Sequence, residues 1–370
     1  MKIGMIGHKY VPSREGGIEI VVDELSTRMA AQGHEVTLFN RKRKEYPVIH
    51  EHNGCKVENI FTINKKSLDA IVYAYFATRK AKKLAKQGKL DVLHFHAEGP
   101  CFFLNHLPKR KHRNYKIVVT IHGLDWQRGK WGGLGAWAIK KGEKRAVKYA
   151  DDIIVLSRSA KKYFAQTYHR TTKVIPNGIS SPTLLEANII KEKFGLEKDS
   201  FVLFVGRIVP EKGLDYLISA WKQLTPEQKA GKKLVIAGGD SHATDYYNHI
   251  VESCQGDDSI ILTGFVQGDE LKELFSNSYL YVLPSDLEGM PMSLLEAMSY
   301  GNICLVSDIP ENTDIINENC YVFKQGSVDR LRHQLKKIIS MNLTTHADSY
   351  IPFTWDDVVN QTLHLYQREY

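Results

Sequence analysis

The chain has 370 residues, is 43% hydrophobic and 25% charged, and carries a formal net charge of +8. This length predicts two domains, each able to bury a core. No run approaches the ~18 apolar residues that span a bilayer, Met1–Gly7 lacks the apolar stretch of a secretory signal, and the five scattered cysteines (Cys55, Cys101, Cys254, Cys304, Cys320) argue for a reducing compartment and against a disulfide framework or zinc site.

In chain order, Ile3–Ile6 reads as a first strand. The loop after it ends in Gly16-Gly17, just ahead of a helix over Ile18–Gln32 that Gly33 stops. Glycines at a helix N-terminus let backbone approach an anion, yet the spacing is neither G-x-G-x-x-G nor a P-loop. Short apolar strands follow at Val36–Phe39, Asp91–Phe95, Lys116–Ile121 and Ile153–Leu156, with helical stretches between them. Ile175-Pro176-Asn177-Gly178-Ile179, on to about Lys198, reads as the connection between a first domain (1–180) and a second (181–354). The second series runs Phe201–Val205, Lys233–Ala237, Ile260–Thr263, Leu280–Leu283 and Ile303–Val306, and Trp355–Tyr370 has the spacing of a closing helix. Such alternation predicts two doubly wound, Rossmann-like α/β domains with parallel sheets. Ligands of such sheets bind at the carboxyl ends of the strands, in a cleft between two facing units.

Charge divides the two halves. Residues 1–180 hold 34 Lys and Arg against 15 Asp and Glu; residues 181–370 hold 16 against 27. The first half is thus +19, with clusters at 79–89, 109–113 and 140–145, and it predicts an anionic partner, or else a solvated basic face. Nucleic acid is not expected, since the clusters lack interleaved aromatics and no binding motif accompanies them.

Three strand ends carry candidate chemistry. After Phe201–Val205, the loop Gly206–Gly213 presents Arg207 and Lys212, a fork and a point charge suited to phosphate oxygens. After Lys116–Ile121, His122 stands beside Gly123; it points to the ligand or caps a strand end. After Leu280–Leu283, Glu288-Gly289-Met290-Pro291 leads into an apolar helix that carries Glu296, with the helix starting near Pro291. A phosphate at that helix end would have one carboxylate to either side, Glu288 in the loop and Glu296 about 7.5 Å along the axis; two solvated glutamates are the plain alternative. His94 and His96 share a strand face, but no third ligand is spaced for a metal.

Taken together, the glycine loop Pro12–Gly17, His122, Asn177-Gly178, Gly206-Arg207 through Lys212-Gly213, and Glu288 to Glu296 resemble the retaining nucleotide-sugar glycosyltransferases of family 4 (group 1), which have the GT-B fold. The stretch His122–Trp131 looks like a rhamnosyltransferase-like subgroup of bacterial surface-polysaccharide assembly. The resemblance implies an acceptor-binding first domain, a donor-binding second domain, and a last helix that packs back on the first. It implies that Arg207 and Lys212 hold the diphosphate and Glu296 the ribose. Glu288 meets the donor sugar, with the backbone of Gly289, Met290 and Pro291, while Phe265 and Val266 lie against the base. Gly16 and Gly17 approach the diphosphate or sugar, and His122 contacts the sugar near C6. Family members often have His-Asp where this chain has His122-Gly123, with Asp125 two positions later.

The expectation is a metal-independent, cofactor-free transferase that moves a sugar from a nucleoside diphosphate, UDP favoured, to a glycan or lipid-linked acceptor. It would be peripheral on the cytoplasmic face of the cell membrane. A non-catalytic nucleotide-sugar-binding protein and a GT-B-like sugar-nucleotide epimerase are the alternatives.

Overall fold

The computed structural model describes residues 1–14, 16–65, 68–127, 132–239, 243–341, 343 and 349–368. The chain divides into two units, Met1–Gly178 with Phe353–Tyr370, and Ile179–Pro352.

The first unit carries β1 (Lys2–Ile6), β2 (Glu35–Lys42), β3 (Glu51–His52), β4 (Cys55–Phe61), β5 (Val92–His96), β6 (Lys116–Ile121), β7 (Asp152–Val155) and β8 (Lys173–Val174). Among the described residues they form one sheet in the order β3-β4-β2-β1-β5-β6-β7-β8, parallel except where β3 meets β4. β1 lies between β2 and β5, with Ile3 in register with Val36 and Val92. Its helices are α1 (Gly17–Ala31), α2 (Leu68–Lys86), α3 (Gly133–Tyr149) and α4 (Arg158–Tyr168), with a 3-10 helix at Gly99–His106. Every residue of β5 is buried, as expected of a central strand covered on both faces.

The second unit carries α5 (Ile189–Phe194), β9 (Phe201–Val205), α6 (Leu214–Lys222), α7 (Pro226–Lys229), β10 (Lys233–Ala237), α8 (Thr244–Cys254), β11 (Ile260–Gly264), α9 (Gly268–Asn277), β12 (Leu280–Leu283), α10 (Met292–Ser299), β13 (Cys304–Ser307), α11 (Pro310–Thr313), β14 (Cys320–Phe323) and α12 (Val328–Ser340). Its parallel sheet runs β11-β10-β9-β12-β13-β14. The order reverses direction at β9/β12, so the connections leaving β9 and β12 start side by side at the carboxyl edge, the place where ligands of such sheets bind. In the first unit the same reversal falls at β1/β5.

The final helix, α13 (Trp355–Gln367), belongs to the first unit. A capping box between Thr354 and Asp357 starts it. Asp356 pairs with Arg28 of α1 at 2.8 Å, and the Tyr366 hydroxyl lies 2.6 Å from His94 Nδ1. Gly178 must be glycine here, because a Cβ would fall 2.6 Å from the Trp355 nitrogen.

The structure departs from the sequence expectations in local ways. Strands β3, β4, β8 and β14 and the short helix α5 were not anticipated. Pro291 is the residue that caps α10 and not its first helical residue, with extended backbone at φ −76°, ψ 97°. Parts of two expected motifs, Glu15 of the glycine loop and 128–131 of the stretch after His122, lie outside the described residues.

Candidate active site

In the unit Ile179–Pro352, the β9/β12 reversal sets two loops side by side. The first, after β9, passes Arg207 and turns at Gly213 (φ +66°), which caps α6. A Cβ on Gly213 would lie 2.2 Å from the Pro284 carbonyl oxygen, so only glycine allows the β9 loop to meet the β12 loop this closely. Gly238, after β10, is constrained in the same way: its Cβ would sit 1.9 Å from the Gly206 carbonyl oxygen.

These contacts fix the charges. Lys212 Nζ lies 2.5 Å from Glu288 Oε1, and the Ser285 hydroxyl donates to the same oxygen at 2.7 Å. The Asp286 N–H donates to the Glu211 carbonyl at 2.9 Å, and Tyr216 donates its hydroxyl to Asp286 Oδ2 at 3.0 Å. Lys212 thus reaches across to the β12 loop for its partner. Glu211 contributes backbone, and the lysine's partner is Glu288, which is 8% exposed. Arg207, half-buried, sits on the same loop.

Helix α10 starts beside this pair, and no side chain caps it. Its first turn therefore offers positive dipole next to Gly289, Met290 and Pro291. Half-buried Glu296 lies on the second turn. Tyr281, from the buried strand β12, donates to Ser293 of α10 at 2.7 Å; it feels both Glu288 and Glu296, although burial is the main reason its hydroxyl is held well above the usual range. At the β11 end, Phe265 is 59% exposed while Val266 is buried. The carboxyl edge at β9 and β12 thus gathers Arg207, the Lys212–Glu288 pair and the start of α10, chemistry suited to an anion. Ser285, Ser307, Asn312 and Glu311 were missed by sequence reasoning. They share only the position that could have flagged them, the ends of β12 and β13. Ser307 donates to the Ser285 carbonyl at 2.5 Å, and Asn312 holds the Ser307 carbonyl at 3.1 Å. Burial, and after it Glu288, raises the Glu311 carboxyl above its usual range.

In the first unit, Gly16 caps α1 and Gly17 opens it. The Glu19 carboxylate lies beside Gly16, where a Cβ would fall 2.3 Å from Oε2, while Oε1 accepts the Lys9 N–H at 2.9 Å. His122, half-buried, places Nε2 3.1 Å from His96 Nδ1. It is the outermost ring of a column, with centroids 5.3 Å apart for His122 and His96 and 4.2 Å apart for His96 and His94. Burial keeps the inner rings neutral, pushing His94 down to about 3 and His96 well below its usual value; His8, bonded to Asn40 at 2.9 Å, is lowered to about 4. Beside them Glu98 is wholly buried, accepts the Asp125 N–H at 3.2 Å, and is raised well above the carboxylate range by burial and then by Asp125. Among the described residues no group of three or more His, Cys, Asp or Glu is arranged to hold a metal ion.

Two family models match the chain, one in each half: Glycosyltransferase Family 4 over residues 15–181 and Glycosyl transferases group 1 over residues 186–351. An uncharacterized glycosyltransferase of Methanocaldococcus jannaschii is 28% identical across 99% of this chain and 98% of its own length. The Escherichia coli UDP-Gal:alpha-D-GlcNAc-diphosphoundecaprenol alpha-1,3-galactosyltransferase is 27% identical across 69% of this chain and 68% of its own. Among solved structures, Anabaena HepE in complex with UDP and glucose superposes with a TM-score of 0.76 at 16% identity, covering 98% of each chain.

Proposed function

The chain belongs to the group 1, family 4 glycosyltransferases, and from that premise we propose that it moves a sugar from a nucleoside-diphosphate donor to a lipid-linked glycan acceptor, with retention at the anomeric carbon. The observation that carries the reading is the convergence, at the β9/β12 reversal, of the Arg207–Lys212 loop with Glu288 and the uncapped start of α10.

In this reading Arg207, Lys212 and the α10 N-terminus hold the diphosphate and stabilise its charge as the bond from the sugar C1 to the phosphate oxygen breaks. The acceptor hydroxyl forms the new bond to C1 from the same face, and its proton passes to the departing phosphate. Glu288 takes hydroxyls of the donor sugar, with the backbone of Gly289, Met290 and Pro291. Glu296 takes the ribose, and Phe265 and Val266 take the base. Binding the diphosphate draws Lys212 away from Glu288 and frees that carboxylate for the sugar. No metal ion is invoked, since the positive charge comes from the chain. Acceptor binding is assigned to the unit Met1–Gly178, whose loops carry Gly16, Gly17 and His122.

UDP is the favoured nucleotide, supported by the UDP-Gal in the E. coli relative's name and the UDP in the Anabaena complex. That relative's name also carries a diphosphoundecaprenol, which supports a lipid-linked acceptor. Such an acceptor is met at a membrane. No helix among the described residues is long and apolar enough to cross one, and the +19 balance of residues 1–180 supports peripheral attachment to an anionic surface, at the inner face of the cell membrane. A thermal-shift panel of UDP, GDP and dTDP sugars tests the donor: a ligand at ~100 times its Kd stabilises by about 2.7 kcal/mol, and a shift with none of them contradicts the reading.

A further inference from the structure

Helix α2 carries apolar bulk on its outer face. Its inner face buries Tyr73 together with the small residues Ala74, Ala77, Ala81 and Ala85. Outside, Leu68, Ile71 and Phe76 are exposed. At three- and four-residue spacing the same outer face continues through Tyr75 to Arg79, Lys82, Lys83 and Lys86. The helix contains one acid, Asp69, and that is buried against Arg41 at 2.7 Å. The outer face is therefore apolar in its first half, cationic in its second, and carries no carboxylate.

Helix α3 repeats the pattern. Leu134 is 87% and Trp137 58% exposed, and the turns that follow on the same face bring Lys141, Lys144, Arg145 and Lys148. Its one acid, Glu143, is fully buried and accepts from Trp126 at 3.0 Å and Tyr163 at 2.9 Å. The 3-10 helix Gly99–His106 joins the two faces through rings in contact. Phe76 and Tyr75 are 5.3 Å apart, Tyr75 and Phe103 5.4 Å, Phe103 and Phe102 5.0 Å, and Phe102 and Trp137 6.0 Å. Phe61 of β4, 55% exposed, extends the strip at 5.4 Å from Phe76. Alongside lies an open groove of about 680 Å³ lined by Tyr75, Arg79, Lys82, Lys83, Lys86 and His106.

We infer that this aromatic strip with its cationic border is the face by which the protein docks on an anionic lipid bilayer, Phe61, Phe76, Leu134 and Trp137 entering the interface and the lysines of α2 and α3 meeting lipid phosphates. The inference rests on the proposed membrane-bound acceptor and specifies where the chain meets that membrane. Complementarity singles out this occupant. Aromatic and aliphatic tips ringed by Lys and Arg suit the boundary between acyl chains and anionic headgroups. A solvated helix would instead carry mixed charge on its outer face. The structure also separates the cations of this face from others in the same clusters. Lys80 points elsewhere, to Glu58 at 3.0 Å, and Arg113 is buried against Asp151 at 2.7 Å.

The test is flotation of the full chain with vesicles of phosphatidylcholine containing about a third phosphatidylglycerol. Variants are Phe76→Ser/Trp137→Ser, Lys82→Glu/Lys83→Glu/Lys86→Glu, and, away from the face, Lys109→Glu/Lys111→Glu. The first two should each lower the partition coefficient at least tenfold and the third less than threefold, all three keeping the wild-type thermal shift with the donor nucleotide. With brominated acyl chains, tryptophan fluorescence should be quenched in the wild type and spared in Trp137→Phe. Wild-type binding that survives Phe76→Ser/Trp137→Ser but is lost in Lys109→Glu/Lys111→Glu overturns this face and leaves the membrane reading standing. A wild type that ignores anionic vesicles overturns both; self-association through the strip would then identify a second copy as its occupant.

Discussion

Lys212 and Glu288 are each about one-tenth exposed and 2.5 Å apart, so each is the other's main compensation for leaving water. Lys212→Ala removes the cation that steadies Glu288 and that, in the proposed mechanism, holds the diphosphate in turnover. We expect it to cost about 3 kcal/mol of stability and at least about tenfold in turnover, or 1.4 kcal/mol of transition-state stabilisation. Adding Glu288→Gln should restore stability, measured by urea unfolding, without restoring turnover. Recovery of both would mean that the lysine acts only through the pair. Arg207→Ala should lose at least about tenfold in turnover, and wild-type turnover in the Arg207/Lys212 double variant would remove the diphosphate assignment. The two glutamates should separate by calorimetry. Glu296→Ala weakens binding of the bare nucleoside diphosphate, whereas Glu288→Ala weakens the sugar-bearing donor more than the diphosphate. The reverse pattern would exchange their ends of the site.

At the scale of elements, β5 sets a column of imidazoles into the core. His94 and His8 are neutral in the folded chain, lowered to about 3 and about 4, and titrate near 6.5 when unfolded. Their contribution to stability is complete above pH 6.5 and is lost as pH falls below it, at about 1.4 kcal/mol per pH unit for each histidine. Glu98 runs the other way: its raised carboxyl favours the fold at low pH and loses that contribution as pH rises through its folded value. His94→Gln should therefore flatten the stability profile between pH 6.5 and 4 by about 1.4 kcal/mol per unit; an unchanged slope in urea titrations would mean that His94 is already solvated.

Much of this organisation was legible in the chain. Continuous apolar runs such as Phe201–Val205 and Lys233–Ala237 announce buried parallel strands, and the structure keeps those boundaries. The strand order at β9/β12 then brings Lys212, which the sequence marked together with Arg207, to Glu288, which it marked together with Glu296. What was not legible had specific causes. β4 buries Cys55, Val57 and Ile60 and exposes Lys56 and Phe61, a pattern whose period of two breaks between Val57 and Ile60 and so is easily read as loop. The Lys212–Glu288 pair joins residues 76 positions apart and leaves no local mark. Glu19, whose carboxylate lies beside Gly16, likewise leaves no local mark.

For the whole molecule, the central claim is group transfer: donor bound in the unit Ile179–Pro352, acceptor taken by the unit Met1–Gly178, and chemistry that needs both substrates. Binding alone and donor isomerisation are its two rivals, and both can be read in one reaction. The purified chain is incubated with the donor nucleotide-sugar picked out by thermal shift, with and without a bacterial lipid extract, and the products are followed by mass spectrometry. The account predicts nucleoside diphosphate released only when the extract is present, a lipid-extractable product heavier by one sugar residue, and at least about tenfold less of both with Arg207→Ala. Isomerised donor in the absence of the extract, or a donor that binds and is recovered unchanged with it, would contradict the account.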